Sequence, residues 1–145
     1  MTPEEPAPSE QMAVVLTENA DDKLLPFATL VSGAVAMGLQ VDVFVSYWGL
    51  VAFRKDGATT PASVSPGHGA EGARLEAALR KPKAPSWRPI LEMAKSLGEL
   101  HIWACSQSMD VLGLKKEDLD PMVDGVTGVG TFVDRTRTAN VSYFI

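Results

Sequence analysis

The chain has 145 residues, enough for one domain of ordinary size and hardly for two. Hydrophobic residues make up 46% and charged residues 21%, too apolar for a disordered chain and too charged for a membrane bundle. Acidic residues outnumber basic ones 18 to 13, so a general nucleic-acid binder is not expected, and the one cysteine excludes an intrachain disulfide, a four-cysteine zinc site and a CxxC redox pair.

In chain order, residues 1–11 carry prolines and glutamates with no large apolar residue after Met1. They are predicted to be a disordered tail ahead of a single domain over 12–145. The start lacks the basic and apolar regions of a signal peptide, which points to the cytoplasm, and a single thiol suits a reducing compartment. Met12–Thr17 is short, β-branched and apolar on both faces, as a central parallel strand is. Glu18–Asp22 is polar and turn-like. Leu24, Phe27, Ala28, Val31, Ala34 and Val35 then recur at helical spacing, with Pro26 expected in the first turn and Gly38 at the end. The uncharged run from Leu24 to Val41 raises the question of a membrane span. Pro26, Gly33, Gly38 and the immediately following Asp42 argue instead for a buried helix followed by a strand, Val41–Tyr47.

Between Arg54 and Pro89 the pattern breaks, and only Glu71–Arg80 reads as helical. A long irregular loop at 56–88 is expected, poorly ordered unless a partner subunit orders it. Ile90, Leu91, Met93, Ala94 and Leu97 share a helical face closed by Gly98, and Leu100–Ala104 follows as a strand. Val126, Val129 and Val133 share a further helical face before the terminal strand Val141–Ile145. Strands alternating with helices imply an α/β fold with a parallel sheet covered on both sides.

Cys105 falls where strand Leu100–Ala104 gives way to a helix, at the carboxyl edge where open α/β sheets place their sites. Unpaired helix N–H groups and the helix dipole favour a thiolate there, and Ser106 and Ser108 can donate to it. The bland reading is a buried, inert cysteine. Asn19, Asp21 and Asp22 lie in the first strand-to-helix turn, near the same edge. Asn19 is placed with the site, while Asp21 or Asp22 is expected to cap the helix. His101 shares a strand face with Trp103 and Cys105. It is read as a strand histidine at the sheet edge, with base or ligand as its alternative role.

No metal site is expected from two histidines and one cysteine, and His68 is given no role. Gly125, Gly128 and Gly130 do not match a phosphate loop, so no cofactor is expected and close helix packing is the reading preferred for them. Arg74, Arg80, Lys81, Lys83, Arg88 and Lys95 are concentrated in one stretch, read as a solvated loop rather than an anion-binding patch. The small residues Gly33, Ala34, Ala36 and Gly38 suit tight subunit packing.

Three segments together resemble the DsrE/DsrF-like family, in particular its soluble branch labelled peroxiredoxin-like. They are the opening AVVLTENADDKLLPFATLVSGAVAMGLQVDVFVSYWGL, then LEMAKSLGELHIWACSQSMDVLGL, then DGVTGVGTFVDRT with the terminal VSYFI. ACSQSMDVLGL is the most specific part, and YWGL is a second, weaker signature. The resemblance implies a flavodoxin-like or Rossmann-like three-layer fold with a mostly parallel five-strand sheet. It implies homo-oligomers (trimers, tetramers or hexamers) and the handling of sulfane sulfur. The cysteine matching Cys105 would accept sulfur as a persulfide or thiosulfonate and pass it to TusA-like or rhodanese-like proteins. Ser106, Gln107, Ser108, Met109 and Asn19 would line the substrate. Some members have a cysteine pair where this chain has one thiol, so an internal relay is not expected.

The function expected is a sulfur carrier or sulfurtransferase with an at least partly exposed Cys105. The alternatives are a thiol peroxidase, for which the chain supplies no resolving thiol, and a non-catalytic oligomeric binding module. Neither nucleic acid nor membrane is expected as a partner.

Overall fold

A computed structural model describes residues 10–145. The first nine residues of the expected tail lie outside the described residues. β1 (Gln11–Leu16) begins one residue before the predicted strand, and Gln11 pairs with Gln40. β2 (Gln40–Val45), β3 (Leu100–Cys105), β4 (Gly125–Thr127) and β5 (Val141–Phe144) complete one five-stranded sheet. The strand order is β4-β3-β2-β1-β5, and every pairing is parallel. The fold is therefore α/β and three-layered, of flavodoxin-like or Rossmann-like type.

The sheet has two unequal faces. On the first, Val14, Leu16, Val43, Val45 and Ile102 are completely buried. They pack against α1 (Asp21–Ala36), α4 (Trp87–Leu97) and α5 (Ser106–Leu112) in the main core. Burying each such side chain contributes about 1.5–3 kcal/mol. On the second face Ala13, Phe44 and Cys105 form a smaller cluster with Phe132 of α6 (Val129–Thr136). The asymmetry follows from the topology. The chain steps from β1 to β4 in one direction, with right-handed crossovers on one face. The return from β4 to β5 then puts α6 alone on the other.

Several local expectations change. α1 starts at Asp21, so Pro26 sits inside the helix rather than in its first turn. Gly38 does end that helix, with a left-handed φ of 85°. Val126 belongs to β4 and not to a helical face; Val129 and Val133 lie on α6 but remain exposed, and Phe132 is the α6 residue that is buried. Gly125 is a strand residue, and a Cβ there would lie 3.4 Å from the Trp103 ring. Close contact with that ring explains this glycine, rather than helix-on-helix packing.

The segment after β2 holds α2 (Trp48–Ala52), a short 3-10 turn at Lys55–Thr59 and α3 (Gly69–Leu79). Hydrogen bonds to the first turn of α1 tie its irregular part to the domain, among them the Asp21 amide on the Ser63 carbonyl at 2.8 Å. The Ser63 and Ser65 amides donate to the Asp21 and Asp22 carboxylates at 2.8 and 2.7 Å. Neither aspartate caps α1: the N-cap is Ala20, with no side-chain cap bond. The basic residues read as a solvated loop fall largely on helices instead: Arg74 on α3, Arg88 and Lys95 on α4. Arg88 is buried on Asp120, Lys95 pairs with Asp124 at 2.6 Å, and Arg74 and Arg80 pair with Glu71 and Glu76 along α3.

Candidate functional site

Cys105 is the last residue of β3 and the N-cap of α5. Its Sγ accepts the Ser108 N–H at 3.5 Å, satisfying one of the amides that a helix start leaves unpaired. Met109 lies beyond it, buried in the main core. Ser108 is fully buried, and its hydroxyl accepts the Tyr47 N–H at 3.0 Å. Two hydrogen bonds thus run from the end of β2, through Ser108, to the thiol. Ser106 is half-buried, its Oγ 3.9 Å from where a Cβ on Gly128 would stand, and Gln107 is exposed.

Tyr47 is the part of this arrangement that the sequence did not announce. Among the described residues it is the one non-glycine with positive φ, at φ 48° and ψ −115°. Such a backbone costs on the order of 1–3 kcal/mol and persists only where the surroundings enforce it. The turn from β2 into α2 enforces it here. Gly49 approaches β1 so closely that a Cβ would lie 2.1 Å from the Leu16 carbonyl oxygen. The YWGL signature is therefore a sharp strand-to-helix elbow. It leaves Tyr47 and Trp48 exposed beside the edge that carries Cys105.

The thiol itself is covered. Cys105 is 6% exposed, against the expectation of partial exposure. Its side chain points to the second face of the sheet, where Phe132 stacks on Phe44 with ring centroids 4.8 Å apart. Trp103, two residues back on the same face, donates its indole N–H to Asp42 at 3.0 Å and lies under the Arg135 guanidinium. His101 stacks at 6.0 Å on Trp103, and its Nε2 lies 3.2 Å from a Glu99 carboxylate oxygen.

Asn19 falls elsewhere. It lines a cavity of about 230 Å³ walled also by Asp21, Arg54, Thr60 and Trp87, with Cys105 absent from its lining. Asp21 in that wall and its neighbour Asp22, outside the lining, shift in opposite directions. Burial holds the Asp21 carboxyl above its ordinary 3.8, the Ser63 amide partly offsetting this and the Asp22 charge adding to it. Burial also raises Asp22, but the Ser65 amide and hydroxyl and the nearby Lys23 outweigh it, leaving Asp22 below 3.8. No group of three or more potential metal ligands occurs among the described residues. No helix among them is long and apolar enough to cross a membrane.

The family model described as "DsrE/DsrF/DrsH-like family" matches residues 8–68 and 61–144. The Bacillus subtilis (strain 168) protein YrkE is 23% identical over 158 aligned positions, covering 94% of this chain and 98% of that one. The solved structure of MTH1491 from Methanobacterium thermoautotrophicum, titled a protein of unknown function, superposes with a TM-score of 0.63 at 16% identity. That superposition covers 93% of this chain and 99% of MTH1491, and at such identity it speaks to the fold alone. The family model spans the β1–α1 opening, the Cys105 turn and the terminal strand together, and the chain belongs to the DsrE/DsrF/DrsH-like family.

Proposed function

We propose that the protein carries sulfane sulfur on Cys105, as a persulfide or thiosulfonate, and passes it to a thiol outside the chain. The observation that carries this reading is the Ser108 N–H held on Sγ at the carboxyl edge of the sheet. Family membership is consistent with chemistry of this class. The Cys105 thiolate attacks the outer sulfur of a donor. A new S–S bond forms, and the bond from that sulfur to the donor's thiolate or sulfite breaks, its electron pair leaving with that group to give the persulfide; from a polythionate the leaving group is thiosulfate and the product the thiosulfonate. An acceptor thiolate then attacks the same outer sulfur, and Cys105 departs as thiolate. One cysteine per chain makes the acceptor a second chain or molecule.

Burial adds a condition. Cys105 shares its buried cluster with Phe44 and Phe132, so a donor reaches Sγ only when the packing around the thiol loosens, and α6 is the element we infer to move. The acceptors of this chemistry are TusA-like or rhodanese-like proteins, and the setting is the cytoplasm. The working unit is a homo-oligomer, a trimer, tetramer or hexamer. Exposed Phe144 on the edge strand and exposed Met93 and Leu97 on α4 support association between copies. Burial of Cys105 is also the observation that favours a second reading, a binding module with an inert thiol.

Cyanolysis separates the two. After exposure to polysulfide and removal of excess, the native protein is expected to release close to one thiocyanate per chain, and Cys105→Ser none. Equal release from both proteins, or from neither, refutes the carrier reading.

A further inference from the structure

Asp21 and Arg54 stand in the wall of one cavity of about 230 Å³. It lies among residues that follow β1 and β2, at the sheet edge where open α/β folds hold small ligands. Leu24, Val51 and Trp87 form its apolar side, and Leu24 and Trp87 are buried. The opposite charges come from separate elements, a carboxylate from the first turn of α1 and a guanidinium from the segment after α2.

Both charged groups have capacity left. Asp21 Oδ2 accepts the Ser63 amide, and no other described residue donates to this carboxylate from across the cavity. Burial holds its carboxyl above the ordinary value, the opposite of what a paired cation does. Arg54 pairs with Asp56 at 3.2 Å, but the two side chains are 43% and 71% exposed, and a pair so open to water is weak. Its remaining N–H donors suit a carboxylate.

We propose that this cavity binds a small aliphatic α-amino acid. Asp21 receives the ammonium, Arg54 the carboxylate, and Leu24, Val51 and Trp87 the side chain. A plain acid would leave Asp21 without a counter-charge, and a plain amine would leave Arg54 with only its exposed partner Asp56, which also lines the cavity. The cavity, about 230 Å³ and open on one side, has room for a side chain of leucine's size. Cys105 takes no part, so the inference stands apart from the sulfur chemistry.

Calorimetric titration of the full chain with L-leucine, L-leucinamide and N-acetyl-L-leucine tests it. Leucinamide keeps the ammonium and loses the carboxylate; the acetyl derivative does the reverse. L-leucine is expected to bind, and each analogue roughly tenfold or more weakly. Asp21→Asn, which keeps an acceptor for the Ser63 amide, and Arg54→Met are expected to weaken L-leucine by a similar factor. Equal affinity for L-leucine and either analogue, or no heat from L-leucine up to about 10 mM, overturns the proposal. If a variant fails to fold by circular dichroism, the analogue series on the native chain decides alone.

Discussion

The Tyr47 amide donates to the Ser108 hydroxyl at 3.0 Å, and this bond joins the elbow after β2 to the helix that Cys105 caps. Ser108 is fully buried, so its loss cannot be made good by water at no cost. Ser108→Ala strands the Tyr47 amide at a strained turn and is expected to lower stability by about 1–3 kcal/mol. Urea denaturation measures this directly. A midpoint unchanged from the native chain would show that the bond holds nothing in place.

Phe132 of α6 lies in the same buried cluster as Cys105 and is itself 4% exposed. Phe132→Ala leaves a cavity over the second face and is expected to cost about 3–5 kcal/mol. The same change uncovers the thiol. Alkylation of Cys105, followed in buffer where circular dichroism shows the variant folded, is expected to run faster than in the native chain. An unchanged rate would place the barrier to Cys105 somewhere other than α6.

Arg88 ties three segments together. Its guanidinium pairs with Asp120, donates to the Ala52 carbonyl at 2.6 Å and stacks on Trp87 at 4.7 Å. The two side chains of the ion pair are only 11% and 12% exposed. Removing one partner leaves a buried charge, so Arg88→Met is expected to cost about 3–5 kcal/mol in urea denaturation. Arg88→Met with Asp120→Leu removes both charges and is expected to recover part of that loss. No recovery in the double variant would mean that the carbonyl contacts, not the ion pair, carry the effect.

Acid should separate Asp21 from Asp22. The folded-state pKa of Asp22 lies below its ordinary 3.8. Its contribution is therefore fully present above 3.8 and is lost as pH falls through the lower, folded value. Asp21 has the opposite sign: its pKa is raised, so its ionised form weakens the fold at neutral pH and that penalty fades in acid. Stability curves against pH are expected to show Asp22→Asn less stable than the native chain at neutral pH, the gap closing below about 3.8. Asp21→Asn, which keeps an acceptor for Ser63, is expected to gain at neutral pH. Parallel curves for all three chains would contradict both assignments.

Local patterns in the sequence were enough to place Cys105 at a strand end and helix start, because the apolar run Leu100–Ala104 and the polar SQSMD after it lie side by side. They were not enough to show which face its sulfur takes. That depends on α6 returning across the sheet from β4, with Phe132 meeting Phe44 across 88 residues of chain (132 − 44). β4 escaped notice because Gly125–Thr127 is too short for any periodicity and carries a glycine. Asp21 and Asp22 look like caps in sequence, since their true partners, Ser63 and Ser65, sit in a distant irregular segment. Tyr47 gives no signal of strain. Only the contact of Gly49 with Leu16 shows why the chain must bend there.

The central claim is that sulfur rides on Cys105. Intact mass spectrometry of the non-reduced chain after brief exposure to polysulfide tests it most directly. The result expected is a species heavier by whole sulfur atoms, lost on adding a thiol reductant and absent from Cys105→Ser. A native chain that stays at its unmodified mass while folded, and gains sulfur only once unfolded, would contradict the claim and leave Cys105 as a buried, inert thiol.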